Sequence, residues 1–395
     1  MRTIAAQIIF PISSEPIYNG YVKVDSSGEI ISIGKLDGEI ESTEFYNGII
    51  VPGFINSHCH IELSHLKDAF TQESGMAGFI RQINKLRLSV DENDRKEALK
   101  NQMQILYDQG VSAMADISNC NESFEIKSKS QVYTRTFLEV FGTETKDVEN
   151  IIYNVKNLEI EADKSGIDAA PTPHSCYTMS RRLLKETLKA GLERGFISYH
   201  NQESREEEEL LISGKGALAA EYKSRGLSTP EVTGKPSLLY FLEIINEVRK
   251  TPVQEHILLI HNICTNQESI DKAKEVLQNA FWVLCPLSNL FIHRELPPIG
   301  LLRSNGVTIA LGTDSLSSNT ILSITEEIKT IQKYFSSIHL NEILTWATIN
   351  GAKALKKYSE LGTLEIGKKP GIVLIDNIDF ENLKLTDASI SKRLI

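Results

Sequence analysis

From residue 49 onward, short apolar segments with strand character alternate with longer segments of helical periodicity, and this alternation limits the fold more than any other feature of the chain. Strand candidates are residues 49–56, 111–117, 132–140, 167–172, 195–200, 256–261, 281–285 and 307–312. Apolar residues at helical spacing mark 77–88, 94–109, 181–194 and 267–279, with Gly110 placed as a C-terminal stop. Eight strands separated by helices over roughly 300 residues is the pattern of an α/β fold of the (β/α)8 TIM-like barrel type, with insertions. A doubly wound open sheet is the structural alternative, but no Gly-x-Gly-x-x-Gly follows the first strand, so dinucleotide binding lacks support.

The two ends of the chain read differently. Residues 21–50 form short alternating runs broken by Ser26-Ser27-Gly28, a β meander, and residues 361–376 have the same character with a turn at Gly367 to Gly371. The ends are expected to pair, covering sheet edges that neither could cover alone. The expected organisation is a small composite β-sandwich domain from residues 1–50 and 359–395, and a barrel from residues 51–358.

A net charge of -10 disfavours nucleic acid or an anionic membrane as the main partner. Five scattered cysteines without a Cys-x-x-Cys pair indicate neither a disulfide framework nor a zinc ribbon, and reduced thiols fit a cytoplasmic protein. The apolar run near the N-terminus is broken too early, by Pro11, for a secretory signal, and no run of about 18 apolar residues suggests a membrane span.

The first barrel strand ends in His58-Cys59-His60. Strand side chains alternate, so His58 and His60 project together and Cys59 faces away into packing. Paired imidazoles suit a divalent metal ion, although His-x-His also occurs as surface or hydrogen-bonded core histidines. A barrel carries its chemistry at the C-terminal ends of its strands. There the sequence places His58 and His60 on the first strand, His174 after the fourth, His200 and His261 at the ends of the fifth and sixth, and Asp314 after the eighth.

These motifs resemble the amidohydrolase superfamily, in its mononuclear aminohydrolase branch, which includes deaminases of methylthioadenosine, S-adenosylhomocysteine, guanine and aminodeoxyfutalosine and the triazine hydrolases. The resemblance spans the chain: Pro52-Gly53-Phe54-Ile55-Asn56-Ser57-His58-Cys59-His60, Pro173-His174-Ser175-Cys176-Tyr177-Thr178, His200-Asn201-Gln202-Glu203, His261-Asn262, Cys285-Pro286-Leu287-Ser288-Asn289 and Leu311-Gly312-Thr313-Asp314. It implies that His58, His60, His200 and Asp314 bind one divalent metal ion, zinc first with iron or manganese as alternatives. It implies further that Glu203 and Asp314 move protons, that His261 polarises the reacting group, and that His174 contacts substrate. Such an ion lowers the pKa of its water from 15.7 toward about 7. The implied activity is hydrolytic deamination of an adenine-like heterocycle with release of ammonia.

Competing readings stand beside these. Glu203 could be a solvated acid at the head of the run Glu206 to Glu209, Asp314 a turn or helix cap, and His174 a structural histidine. Ser288 and Asn289 are expected to shape their loop rather than touch substrate. No lysine occupies a bridging position after the fourth strand, which disfavours a carboxylated-lysine binuclear centre, and no cysteine has a better claim than the metal assembly to act as nucleophile.

Specificity is expected from loops. Glu62, Ser64, His65 and the segment to Gly78 should overhang the site, and residues 213–236, rich in Gly and Ser, suit a lid. His58-Cys59-His60-Ile61-Glu62 looks like the His-x-His-x-Glu pattern of some aminodeoxyfutalosine deaminases. Arg135, Glu139, Arg294 and Glu295 are candidate polar contacts, with Arg135 and Glu139 equally readable as charges that stabilise the barrel. The expected partner is a small heterocyclic substrate, with a homodimer as the open question of assembly. The rivals are hydrolysis of another C–N or C–Cl bond, as in cyclic amides or triazines, and a noncatalytic barrel.

Overall fold

In the computed structural model, which describes residues 1–38 and 42–395, the chain opens with four strands, β1 (Arg2–Ile9), β2 (Ile17–Val24), β3 (Ile30–Lys35) and β4 (Thr43–Pro52). Residues 39–41, inside the expected N-terminal meander, lie outside the described residues. Gly53 separates β4 from β5 (Phe54–Cys59), at a point where a Cβ would stand 2.4 Å from the Pro370 carbonyl oxygen. Seven further strands follow, β6 (Val111–Ser118), β7 (Tyr133–Val140), β8 (Asp168–Pro173), β9 (Phe196–Asn201), β10 (Val253–His261), β11 (Leu277–Leu284) and β12 (Thr308–Leu311). Helices between them include α1 (Gly75–Leu86), α2 (Glu92–Asp108), α3 (Phe124–Lys129), α4 (Val148–Lys164), α5 (Arg181–Glu193), α6 (Arg205–Ser213), α7 (Gly216–Ser224), α8 (Ser237–Val248), α9 (Gln267–Val276) and α10 (Pro286–His293). Short strands β13 (Ile372–Ile375), β14 (Ile378–Asp379), β15 (Lys384–Leu385) and β16 (Ser391–Arg393) end the chain.

The two ends share one six-stranded sheet in the order β16-β13-β4-β1-β2-β3. The first apolar run of the sequence, expected only to be too short for a leader, is β1 in the interior of this sheet, antiparallel to β2 and parallel to β4. Ile49, Val51, Val373 and Ile375 face the large core, while Ile4, Val22, Val24, Ile50 and Ile372 form a separate apolar cluster.

The middle of the chain is mixed α/β. Two four-stranded sheets, β5-β6-β7-β8 and β12-β11-β10-β9, are parallel throughout. Their edges meet twice. At one seam the His200 N–H donates to the His174 carbonyl (2.8 Å) and the Ser198 N–H to Thr172 Oγ1 (2.8 Å). At the other, the Thr313 and Asp314 N–H groups both donate to the His58 carbonyl (3.0 and 3.1 Å), and Cys59 bridges Asp314 in parallel. Gly312 makes this second seam fit, because a Cβ on it would lie 2.8 Å from both the Cβ and the backbone nitrogen of His58. Ile55, Ala113, Phe137, Leu258, Val283 and Ala310 pack together on one face of the strands, and alternate residues join the helices in the main core. Burial on both faces explains why these strands read as apolar runs rather than as alternations.

Boundaries shift where capping or pairing decides. α2 begins two residues before the expected start because Asp91 accepts from the Asn93 and Asp94 N–H groups as N-cap. The expected helix 267–279 stops at Val276, because Leu277 begins β11 by pairing with Val253. The expected lid at 213–236 is partly helical, since α7 buries Leu218 beside Met76, Tyr177 and Leu210.

Candidate active site

Strand alternation brings the His58 and His60 rings together at the end of β5, with Nε2 atoms 3.1 Å apart. Asp314 Oδ1 lies 3.5 Å from His60 Nε2 and 3.7 Å from His58 Nε2. His200, at the end of β9, completes a group of three imidazoles whose ligand atoms lie within 4.8 Å of one another. Four-coordinate zinc with bonds of 2.0–2.1 Å sets its ligands about 3.4 Å apart, so these separations fit one cation held in common. Burial pulls His58 and His200 well below the ordinary imidazole pKa, which keeps their lone pairs free for a metal. Asp314 is fixed from behind, since Ser288 and Ser318 hydroxyls both donate to Oδ2 (2.6 and 2.7 Å) and leave Oδ1 facing the histidines. Burial acts upward on this carboxyl, but nearby imidazoles and the Ser288 hydroxyl outweigh it and hold Asp314 below the usual carboxylate range.

Glu203 and His261 sit beside this centre. His261 Nε2 lies 3.5 Å from Glu203 Oε1, while His261 Nδ1 meets Asn289 Nδ2 at 3.0 Å, so the ring presents an unpartnered Nε2 inward. Burial brings His261 down to about 4, and it is neutral near pH 7. Glu203 accepts a hydrogen bond from Tyr177 Oη (3.0 Å), and its own N–H donates to Glu207 Oε2 (2.6 Å). Burial, followed by the acidic neighbours Glu207 and Asp314, pushes Glu203 well above the usual carboxyl pKa.

The backbone is strained where these side chains emerge, with His261, Asn262 and Asp314 at φ of 72°, 65° and 58°. Left-handed conformations cost of order 1–3 kcal/mol each and persist when the surroundings over-determine them. Here Asn262 Nδ2 donates to the Leu259 and Val283 carbonyls and Asn319 Nδ2 to the Thr313 carbonyl.

A cavity of about 570 Å³ opens onto the site, reached by His60, His174, His200, Glu203 and Asp314. Its outer wall is apolar, with Met76, Phe79, Ile80 and Ile83 from the α1 region and Tyr222 and Leu227 from the segment expected to act as a lid. Glu206 anchors that wall by accepting from the Met76 and Ala77 N–H groups, and Arg81 pairs with Glu221 across from α1 to α7. The His174 ring stacks on His200 (4.2 Å, 16°), with its Nδ1 beside Ser175 and Thr178 hydroxyls.

Two expected substrate contacts stand elsewhere. Arg135 is the third residue of β7, at the opposite end from the cavity, where it pairs with Asp168 and lies 4.1 Å from the Phe196 ring centroid. A side chain at the N-terminal end of a parallel strand cannot reach the rim formed by the C-terminal ends. Glu62 is buried and turned from the cavity, accepting from the Asn119 N–H (2.9 Å) and Ser123 Oγ (3.1 Å), so it braces the loop after β6. Ser64 and His65 bond to the Ile61 and Arg87 carbonyls, and Arg294 and Glu295 pair with Glu73 and Arg205. Tyr177, Ser318 and Glu207, which sequence reasoning passed over, are brought into the site. Ser288 and Asn289 do more than shape their loop, since they hold Asp314 and His261.

The chain has relatives among known proteins. Residues 49–392 match the model of the amidohydrolase family. The chain is 26% identical over 356 residues to an adenosine deaminase of Helicobacter pylori, covering 88% of this chain and 83% of that one. It is 28% identical over 342 residues to an aminodeoxyfutalosine deaminase of Nitratiruptor sp., covering 84% and 79%. Its fold is similar to the crystal structure of Helicobacter pylori aminofutalosine deaminase in complex with methylthio-coformycin, with a TM-score of 0.81, 22% identity and full coverage of both chains. The family match spans most of the sequence, and the chain belongs to the amidohydrolase family.

Proposed function

We propose that this protein is a metal-dependent aminohydrolase that removes ammonia from the adenine-like base of a nucleoside derivative. The observation that carries the reading is one cluster: three imidazoles and Asp314, its carboxyl held below the usual range, around a common centre, beside a buried Glu203 whose carboxyl is pushed well above that range. His58, His60, His200 and Asp314 would hold one divalent ion, with zinc first and iron or manganese as alternatives. Such an ion, when bound, acidifies coordinated water toward neutral pH. Asp314 orients the attacking water through Oδ1 and takes its proton, since Oδ2 is already occupied by two hydroxyls. Glu203 delivers its proton to a ring nitrogen of the base as the amidine carbon becomes tetrahedral, then helps the amine leave. His261, held by Asn289, steadies the incoming oxygen through Nε2. His174 contacts the substrate from the cavity side.

The similarity to deaminases of adenosine and aminodeoxyfutalosine supports the adenine-like base, and the apolar outer wall suits a substituent on the sugar. We read the eight strands as a closed (β/α)8 barrel over residues 51–358, supported by hydrogen bonds at both seams. Residues 1–50 and 359–395 are read as a composite sandwich-like domain, supported by their own apolar cluster. The net charge and the absence, among the described residues, of a helix long and apolar enough to cross a membrane are compatible with a cytoplasmic enzyme whose partner is a small molecule. The proposed assembly state is a homodimer, to be read from its mass in solution.

The test is ammonia release by metal-loaded protein from adenosine, methylthioadenosine, S-adenosylhomocysteine and aminodeoxyfutalosine. Metal-dependent release from at least one is expected; metal binding with no ammonia from any overturns the proposal.

A further inference from the structure

The proposed metal ligands do not account for Glu139. It is the seventh of eight residues in β7, its side chain is 5% exposed, and it reaches the cavity beside His200. Its Oε2 accepts from Asn119 Nδ2 (3.1 Å), and Asn119 Oδ1 accepts in turn from the Arg87 guanidinium (2.8 Å). Its Oε1 has no hydrogen-bond partner among the described residues. The nitrogen that faces it, His200 Nδ1, lies 3.7 Å away and is equally buried and equally unpartnered. Buried polar atoms in folded proteins are nearly always matched, so two unmatched and complementary atoms facing each other form a pair waiting to close. The stack of His174 on His200 fixes the plane of the ring and keeps Nδ1 turned toward the acid.

We infer that Glu139 is a positioning residue, accepting the Nδ1–H of His200 and so fixing the tautomer in which Nε2 keeps its lone pair for the metal. A carboxylate can only accept, and a neutral imidazole has one N–H to give. Placing that proton on Nδ1 leaves Nε2 as the ligand atom, and an acid behind a metal-binding imidazole makes it a more basic ligand. Asn119 and Arg87 hold the other carboxylate oxygen, so Glu139 stays aimed at His200 and the geometry of the metal is tied to the cavity wall. This rests on the metal reading proposed above.

The experiment measures zinc affinity of the full-length apoprotein by competition with a chromophoric chelator, alongside kcat and KM of the zinc-loaded protein. Removing an acid of this kind costs 10–100-fold in metal affinity. Glu139→Ala should therefore bind zinc about 10–100-fold more weakly than the parent, and Glu139→Gln should recover part of the loss, because its amide oxygen still accepts from Nδ1–H. Asn119→Ser, which frees the acid without removing it, should weaken zinc binding less than Glu139→Ala. Zinc affinity of Glu139→Ala within twofold of the parent overturns the inference, as does a raised KM with unchanged zinc affinity, which would make Glu139 a substrate contact. If the alanine variant does not fold, Glu139→Leu, which keeps most of the volume and removes the acceptor, decides by the same twofold criterion. Chelator competition needs no substrate, so failure of the parent to release ammonia would strike the proposed activity and leave this measurement standing.

Discussion

The two ends of the parallel strands treat buried polar groups in opposite ways. At the N-terminal ends, Arg135 is matched to Asp168 and lies against Phe196, Lys356 covers the same ring, and His256 bonds the Ala354 carbonyl, with Arg135 Nε and Gln109 Oε1 left over. At the C-terminal ends, His58 Nδ1, His200 Nδ1, His261 Nε2 and Glu139 Oε1 are all buried without a partner. One end is built for stability, because its charged and ring groups are matched locally. The other keeps unmatched donors and acceptors in the low-dielectric interior, where they are costly to leave and effective when a ligand meets them.

Experiments can break this contrast, and the strongest is at the metal. His200→Ala, or chelation of the parent, should abolish metal content and ammonia release together, with zinc restoring only the chelated parent; activity without metal would erase the distinction. Next, Glu203→Gln should lower kcat by about 10²–10⁴-fold while metal content by elemental analysis stays at the parent level. At the other end, Arg135→Met should leave kcat/KM unchanged and lower unfolding free energy by about 1–2 kcal/mol in denaturant titrations. A fall in kcat/KM there would show that the two ends are not separable.

The last effect is one of pH. Burial raises Glu207 to about 8, so its folded-state pKa lies above the ordinary 4.5. Below 4.5 both folded and unfolded chains hold the proton. Between 4.5 and 8 only the folded chain does, and stability falls as pH rises, by at most about 1.4 kcal/mol per pH unit from this group. Glu207→Gln should flatten that decline in unfolding titrations at pH 5 to 8, and an unchanged slope would show that Glu207 is ionised.

How much of this was legible beforehand depends on distance along the chain. Strand order and the histidines at strand ends were readable, because apolar runs and local spacing are properties of neighbouring residues. Arg135 was misplaced for a reason the sequence does contain: it stands third in its strand and Glu139 seventh, so only the latter can reach the rim. Glu62 fits a short motif, yet its direction depends on the Asn119 N–H, 57 residues away. Ser318 has no signature of its own, and Tyr177 and Glu207 stand inside a quoted motif and an acidic run that do not single them out, since their roles arise from packing against Asp314 and Glu203. The helix at 267–279 ran too far because helical periodicity continues into a segment that pairing with β10 claims as strand.

The join at Gly312 has a consequence for assembly. Asn56 and Thr313, 257 residues apart, bond across it, and the same few ångströms bring His58 to Asp314. In the closed barrel proposed here, the seam joining the first strand to the last also brings together the proposed cation ligands His58 and Asp314. A nascent chain therefore has no competent centre until its most remote strands have met, and folding to completion doubles as activation.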